Sequence, residues 1–110
     1  MLAKNIGAIC ELIVAEDLLI QGYEVFRSIS QHASCDLIAI RDDETVRVEV
    51  RTALMRKDGS VSPHLEQRDK CDLYAFVHSD LSEITYMTPE EAMADNRNPA
   101  SKIPLWRRPA

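Results

Sequence analysis

The sequence has 110 residues, of which 45% are hydrophobic and 28% are charged, enough for one compact core and too few for two ordinary domains. Its 18 acidic residues outweigh 13 basic ones, and the net charge of −5 argues against a broadly basic nucleic-acid-binding surface. The charge is uneven, because residues 96–110 contain four basic residues and no acid. We therefore expect one domain over residues 1–95, followed by a basic, proline-containing tail over residues 96–110.

The cysteines, Cys10, Cys35 and Cys71, are odd in number, widely spaced and without a CxxC pair. This pattern predicts neither a disulfide framework nor a zinc site. It fits buried thiols in a reducing compartment, so we expect a cytoplasmic protein. The most apolar stretch, residues 6–20, is interrupted by three acids, which excludes a membrane span or the apolar part of a signal peptide.

The first predicted element is a helix from about Ala3 to Gln21, where helix formers run without a proline and Gly22 follows at the position of a C-terminal cap. Three strands come next, since β-branched and aromatic residues dominate these segments or alternate with polar residues. The strands are predicted at residues 23–29, 36–40 and 45–52.

A loop with a turn signal at residues 57–59 follows the third strand. The remaining elements are a helix, two strands and a short final helix, predicted at residues 63–71, 73–78, 83–87 and 88–95. The final helix opens with a capping box, Thr88 to Glu91, that has proline at its first helical position. The order α-β-β-β-α-β-β-α predicts an α/β or α+β domain around one sheet.

The second and third strands bring carboxylates together. If Asp42 and Asp43 form a two-residue turn, paired positions sum to 85, which places Asp36 opposite Glu49. Arg51 points to the same side as Glu49, because residues two apart share a strand face. Facing carboxylates repel unless a cation lies between them, and hard oxygen ligands suit Mg²⁺. The alternative is an ordinary solvated strand face, which is the favoured interpretation for an isolated motif of this kind.

The opposite face of the same hairpin is apolar, and we expect the first helix to cover it. Its members are Leu37, Ala39, Val46, Val48 and Val50. Glu11 lies on an apolar stripe of that helix. Small residues beside it, at positions 7, 8 and 15, predict a close approach of the helix that brings Glu11 toward the two strand carboxylates. The alternative is a glutamate at the edge of the buried stripe, with its carboxylate in water.

Taken together, these segments resemble the PD-(D/E)xK nuclease superfamily, and within it the archaeal Holliday-junction-resolvase-like nucleases and related small restriction-type endonucleases. The resemblance covers roughly residues 5–78 and rests on four short motifs in family order. They are GxxxE at 7–11, GYEVFRSIS at 22–30, CDLIAI at 35–40 and VEVRT at 48–52. The resemblance implies a restriction-endonuclease-like αβββαβ core with a mixed central sheet flanked by helices.

The resemblance also implies a function: a metal-dependent DNA endonuclease that hydrolyses phosphodiester bonds, with branched DNA as a candidate substrate. Asp36, Glu49 and the backbone carbonyl of Val50 would bind Mg²⁺ or Mn²⁺, with Glu11 as an outer ligand or water-holding acid. These three acids and Arg51 form the implied catalytic set. The metal would activate water and stabilise charge on the scissile phosphate. Small members of the superfamily often need two active sites to cut both strands, so we expect a homodimer.

Several further residues are candidates for DNA contact. Arg27 and Ser30 match family positions that contact or position the phosphate, although Arg27 could instead pair with an acid on a neighbouring strand. Others lie in the loop after the third strand and on the helix beyond it, namely Arg56, Lys57, Gln67 and Arg68. The basic tail is a second DNA contact, or else it packs on the domain or on a partner.

Two positions depart from the family pattern. Cys35 replaces the proline before the aspartate, which costs little because that proline shapes backbone only. Arg51 replaces the usual lysine, and arginine stays charged, so it stabilises negative charge but cannot deprotonate water. We expect activity to be retained, because all three acids remain. The alternative is a catalytically weakened nuclease-like module that binds DNA or a protein.

Overall fold

Two helices and five strands form the part of the chain that the computed structural model describes, which is residues 2–30, 33–54, 56–58 and 70–94. In chain order they are α1 (Leu2–Ile20), β1 (Glu24–Arg27), β2 (Leu37–Arg41), β3 (Glu44–Ala53), β4 (Leu73–His78), β5 (Ile84–Met87) and α2 (Pro89–Ala94). The helix predicted at residues 63–71 lies outside the described residues, apart from Lys70 and Cys71, which are not helical. The tail predicted at 96–110 also lies outside them.

The end of α1 forms as the sequence predicts. Gly22 has a φ of +91°, a left-handed conformation that glycine adopts without steric cost. Its N–H donates to the carbonyl of Leu19 at 3.0 Å, and the N–H of Tyr23 donates to the carbonyl of Leu18 at 3.1 Å. This is a Schellman cap, and because Tyr23 belongs to it, β1 begins one residue later than predicted. No helix among the described residues is long and apolar enough to span a membrane.

The sheet has the strand order β1-β2-β3-β4-β5 and is mixed, as predicted. The pairs β1–β2, β2–β3 and β4–β5 are antiparallel, whereas β3 and β4 are parallel. The β2–β3 hairpin turns at Asp42 and Asp43, and its register pairs Leu37 with Val48. The predicted register, with a sum of 85, is therefore confirmed.

Helix α1 covers one face of the sheet, as predicted. Its buried stripe, Cys10, Val14 and Leu18, packs with buried residues of the strands that include Leu37, Ala39, Val46 and Val48. The expected role of the small residues is wrong at two positions. Gly7 and Ala8 are exposed, and a Cβ added at Gly7 would meet no described atom within 4 Å. The buried stripe makes the contact instead, and Glu11 is half-buried at its edge.

The other face of the sheet carries a smaller cluster that includes α2. Its members are Ala53, Cys71, Tyr74, Phe76, Met87 and Ala92. The predicted capping box is confirmed, since the N–H of Thr88 donates to Glu91 Oε1 at 2.9 Å and the N–H of Glu91 donates to Thr88 Oγ1 at 3.2 Å. These caps fix α2 at the end of β5, where Ala92 is fully buried.

Candidate active site

Asp36 lies immediately before β2 and bonds to β3 on both sides of Glu49. Its N–H donates to the carbonyl of Val48 at 3.1 Å, and its Oδ2 accepts the N–H of Val50 at 2.9 Å. Its own carbonyl accepts the N–H of Ser28 at 3.0 Å. Asp36 is therefore held beside Glu49, where the register predicts it, by the backbones of two neighbouring strands.

Glu49 and Arg51 form an ion pair on the sheet face opposite α1. Arg51 Nε lies 3.3 Å from Glu49 Oε2, and the side chains are only 14% and 16% exposed. In the parallel register with β4, Glu49 pairs with Tyr74 and Arg51 pairs with Phe76. Because the guanidinium stays protonated, Arg51 supplies a fixed positive charge beside Glu49 and cannot itself act as a base.

Glu11 bonds to Arg27 of β1. Arg27 Nε donates to Glu11 Oε1 at 3.0 Å, and 56% of the Arg27 side chain remains exposed, against 24% of Glu11. The alternative interpretation of Arg27 was an ion pair with an acid on a neighbouring strand. The structure does pair Arg27 with an acid, but that acid lies on α1. The large exposed fraction leaves much of the arginine accessible to an anion.

The ends of β1 and β2 enclose a polar pocket of about 220 Å³, here called the strand-end pocket. It is lined by Glu11, Arg27, Ser28, Ser30, Ala33, Cys35 and Asp36. Four residues predicted for the site, Glu11, Arg27, Ser30 and Asp36, thus come together from three elements of the chain. A guanidinium with hydroxyl groups suits a phosphate, and carboxylates suit a cation.

Ser28 is a lining residue that the sequence analysis missed. The β1–β2 register pairs Arg27 with Leu37, and one step further it brings the N–H of Ser28 to the carbonyl of Asp36. No two-residue turn joins these strands, so the sequence carried no turn signal that fixes their register. Knowledge of that register would have placed Ser28 beside the acid.

Cys35 lines the same pocket, and burial raises the pKa of its thiol. The positive charge of Arg47 acts in the opposite direction, whereas Glu49 and Asp36 add to the effect of burial. The thiol is therefore protonated at neutral pH, and a protonated thiol is neither an effective nucleophile nor a metal ligand. The chemistry of the pocket consequently depends on its oxygen and guanidinium groups.

The three predicted acids do not form a single cluster. Within the described ranges, no group of three or more His, Cys, Asp or Glu side chains could hold a metal ion. Glu11 is on the helix side and Glu49 is on the opposite face, while Asp36 lies at the strand end between them. The donors are of the right kind for a divalent ion, because Asp36 and Glu11 each use one carboxylate oxygen in the contacts above and keep a second.

Two other DNA-contact candidates, Arg56 and Lys57, do not line the strand-end pocket. Arg56 is half-buried and Lys57 is exposed, both in the chain that follows β3. Gln67 and Arg68 lie outside the described residues. The structure therefore brings the β1, β2 and α1 candidates together and separates them from Arg56 and Lys57.

The order of elements and the position of Asp36 beside an ExR strand can be compared with known proteins. Residues 1–93 match the sequence model of a family described as PD-(D/E)XK endonuclease. The chain belongs to the PD-(D/E)XK endonuclease family. The predicted superfamily resemblance is thus confirmed, and divalent metals are typical of PD-(D/E)XK nucleases.

The fold agrees with this PD-(D/E)XK assignment. It is similar to the solved structure of a bacterial homing endonuclease, I-Ssp6803I, with a TM-score of 0.62 and 15% sequence identity. The likeness covers 81% of this chain and 70% of that chain. It confirms the predicted restriction-endonuclease-like, mixed-sheet fold. No curated protein sequence matches the chain.

Proposed function

We propose that this PD-(D/E)XK chain is a divalent-metal-dependent DNA endonuclease that hydrolyses phosphodiester bonds, with Asp36 as its central acid. The observation that carries the proposal is the position of Asp36. It shares the strand-end pocket with Glu11 and Arg27, and it bonds to the backbone on both sides of Glu49. One residue thereby links the pocket that suits a phosphate to the strand that carries the second acid and the cation.

In this proposal Asp36, Glu49 and the backbone carbonyl of Val50 bind Mg²⁺ or Mn²⁺, and Glu11 is an outer ligand or a water-holding acid. The bound ion supplies Lewis acidity and lowers the pKa of a water molecule. Glu11 and Glu49 are bonded to Arg27 and Arg51 in the described structure. These guanidinium groups neutralise the acids in the absence of an ion and compete with an ion for them.

The phosphate of the substrate is assigned to Arg27. More than half of its side chain is exposed at the pocket, where Ser28 and Ser30 add hydrogen-bonding groups. Arg51 stabilises negative charge at the phosphate without exchanging a proton. Further contacts to DNA are assigned to Arg56, Lys57, Gln67 and Arg68.

The motif likeness to resolvase-like nucleases supports branched DNA as the substrate to test first. It also supports a homodimer, because one site cuts one strand and a second copy supplies the other cut. Sedimentation of the purified chain with and without a four-way junction measures this directly. A single copy per junction at saturating protein would contradict the dimer.

The nuclease proposal is tested by incubating the purified protein with plasmid, four-way junction and single-stranded DNA in Mg²⁺ or Mn²⁺. Asp36→Asn removes the charge but keeps an oxygen that can accept the Val50 N–H, so the hairpin is retained. Asp43→Asn, at the exposed turn of the same hairpin, is the matched control. Metal-dependent cleavage that is lost in Asp36→Asn and kept in Asp43→Asn supports the proposal. No cleavage of any substrate, or equal cleavage by both variants, contradicts it.

A nuclease-like module that binds DNA or a protein without cleavage is the second candidate. The Glu49–Arg51 ion pair favours this second candidate. The arginine stands where the family has a titratable lysine, and its charge offsets that of the Glu49 carboxylate. Calorimetry distinguishes the two functions. Absence of Mg²⁺ or Mn²⁺ binding that depends on Asp36 and Glu49 favours the binding module, whereas faster cleavage by Arg51→Lys indicates a weakened enzyme.

A further inference from the structure

A groove lies between α1 and the turn that joins β4 to β5, and we call it the acidic groove. Its volume is about 430 Å³, within the range of roughly 300–1,000 Å³ that ligand sites occupy. The lining combines aliphatic and acidic side chains, including Ile13, Glu16, Ile20, Leu81, Glu83 and Ile84. It lies away from the strand-end pocket, with which it shares no lining residue.

The groove offers apolar surface next to negative charge. Ile20 is 77% exposed, although isoleucine is usually buried. Glu16 is exposed beside it, and 74% of the Glu83 side chain is exposed across the groove. The lining includes no basic side chain among the described residues. A segment that is both apolar and basic therefore complements this surface in two respects.

Residues 96–110 of the same chain have this composition. Their charged residues are all basic, namely Arg97, Lys102, Arg107 and Arg108. Apolar residues lie between these charges, namely Ile103, Leu105 and Trp106. The acidic groove and this segment thus match in charge and in apolar character.

The chain is also long enough to reach the groove. Helix α2 ends at Ala94 and packs against β5, which is an edge strand of the sheet. The groove is lined by Ile84, the first residue of that same strand. Fifteen extended residues span up to about 50 Å, more than enough to pass around one sheet edge.

We propose that residues 96–110 bind in the acidic groove of their own chain. Trp106 and its aliphatic neighbours cover the exposed surface at Ile20, and the flanking arginines lie near Glu16 and Glu83. The tail is then an intramolecular arm, and its positive charge faces carboxylates of the domain instead of DNA. This inference does not depend on the proposed nuclease activity.

Trp106 is the only tryptophan of the chain, so its fluorescence reports on the tail in the full-length protein. The expected emission is blue-shifted relative to the denatured chain and protected from iodide quenching. Glu16→Lys combined with Glu83→Lys should shift the emission to the red and remove the protection. Glu24→Lys combined with Glu44→Lys is the matched control, since both acids are exposed, lie elsewhere and give the same change in net charge.

Ile20→Asp provides a second test that introduces no positive charge. Because Ile20 is exposed, the substitution leaves the buried core intact, and circular dichroism verifies that the variant is folded. It should also shift Trp106 emission to the red.

Native emission equal to that of the denatured chain overturns the proposal, as does an equal shift in the control. Blue-shifted emission that is lost on dilution indicates the groove of a second copy. Emission that changes only when DNA is added assigns the tail to DNA. Both results overturn the intramolecular arm.

Discussion

The carboxylate of Asp36 accepts the backbone N–H of Val50 at 2.9 Å. The side chain thus takes the position of a backbone acceptor where the β2–β3 ladder ends, and it fixes the acid relative to the strand that carries Glu49. An aspartate in this arrangement contributes to the hairpin as well as to the proposed chemistry. The two contributions can be separated by choosing the substitution.

Asp36→Asn and Asp36→Ala should differ in stability but not in activity. Asparagine keeps an acceptor for the Val50 N–H, whereas alanine leaves that N–H unpaired at a cost of about 1–3 kcal/mol. Both remove a proposed metal ligand, so both should lose at least about 100-fold in cleavage rate, the upper end of the loss seen for outer-shell partners. Urea unfolding and cleavage assays measure the two effects. Equal stability of the variants would contradict the structural role of this hydrogen bond.

Arg27→Gln should strengthen binding of Mn²⁺ in the absence of DNA and weaken binding of DNA. The arginine lies 3.0 Å from Glu11, and removing an exposed cation of this kind changes an affinity by about 2–5-fold. Calorimetry with Mn²⁺ and a fluorescence binding assay with DNA give both values. Arg47→Gln is the matched control, because Arg47 is also an exposed, paired arginine but does not line the strand-end pocket. The same metal affinity in both variants would contradict competition at Glu11.

Arg51→Lys should change the pH dependence of cleavage. Arginine does not titrate below about pH 12, so residue 51 contributes no ionisation to the wild-type profile. A lysine at this position can titrate, so it adds an ionisation to the profile. Desolvation at a site where Arg51 is only 14% exposed lowers the pKa of that lysine, and the Glu49 carboxylate acts in the opposite direction. Rates measured from pH 6 to pH 10 show this directly. Profiles of identical shape would indicate that residue 51 does not contact the reacting phosphate.

The ion pair between Asp72 and Arg47 should make the free energy of unfolding depend on pH in the acid range. A hydrogen bond from Arg47 lowers the pKa of the Asp72 carboxyl below the ordinary value of 3.8. Such a group stabilises the fold above pH 3.8, and this contribution is lost as the pH falls through the lower, folded-state pKa. Asp72→Asn should therefore be less stable than wild type near pH 7, and the difference should disappear at low pH. Urea unfolding at both pH values checks this, and a constant difference would contradict it.

The two described glycines should respond to alanine in opposite directions. Gly22→Ala places a Cβ at a φ of +91° and should destabilise the fold by about 1–2 kcal/mol. Gly7→Ala adds a methyl group with no described atom within 4 Å, on an exposed helix position, and should stabilise by about 0.5–1 kcal/mol. Thermal unfolding measures both. Destabilisation by Gly7→Ala would indicate that the helix start has a close neighbour.

Local sequence signals predicted most of the fold. Gly22 predicted the end of α1, Asp42 and Asp43 predicted the hairpin turn, and Thr88 to Glu91 predicted the cap of α2. Each signal acts within a few residues, so no knowledge of tertiary structure was needed. The hairpin register followed from the turn alone and placed Asp36 correctly beside Glu49.

The partners of the acids were not predictable in the same way. The pairing of Glu11 with Arg27 depends on how α1 lies across β1, which no turn or periodicity determines. The exposed position of Gly7 was not predictable either, because composition does not show which part of a helix extends beyond the sheet. The roles of the site residues stay predictions, and the experiments above test them.

The β2–β3 hairpin has a consequence for the order of folding. Asp36, Glu49 and Arg51 are joined by a two-residue turn, and pairings so close in the chain form within about 1–10 μs. The parallel pairing of β3 with β4 must first close the chain between residues 53 and 73, a slower event. We therefore expect the relative placement of the two acids to be established before the sheet is complete. Lengthening the chain between β3 and β4 should slow folding while leaving Asp36 beside Glu49.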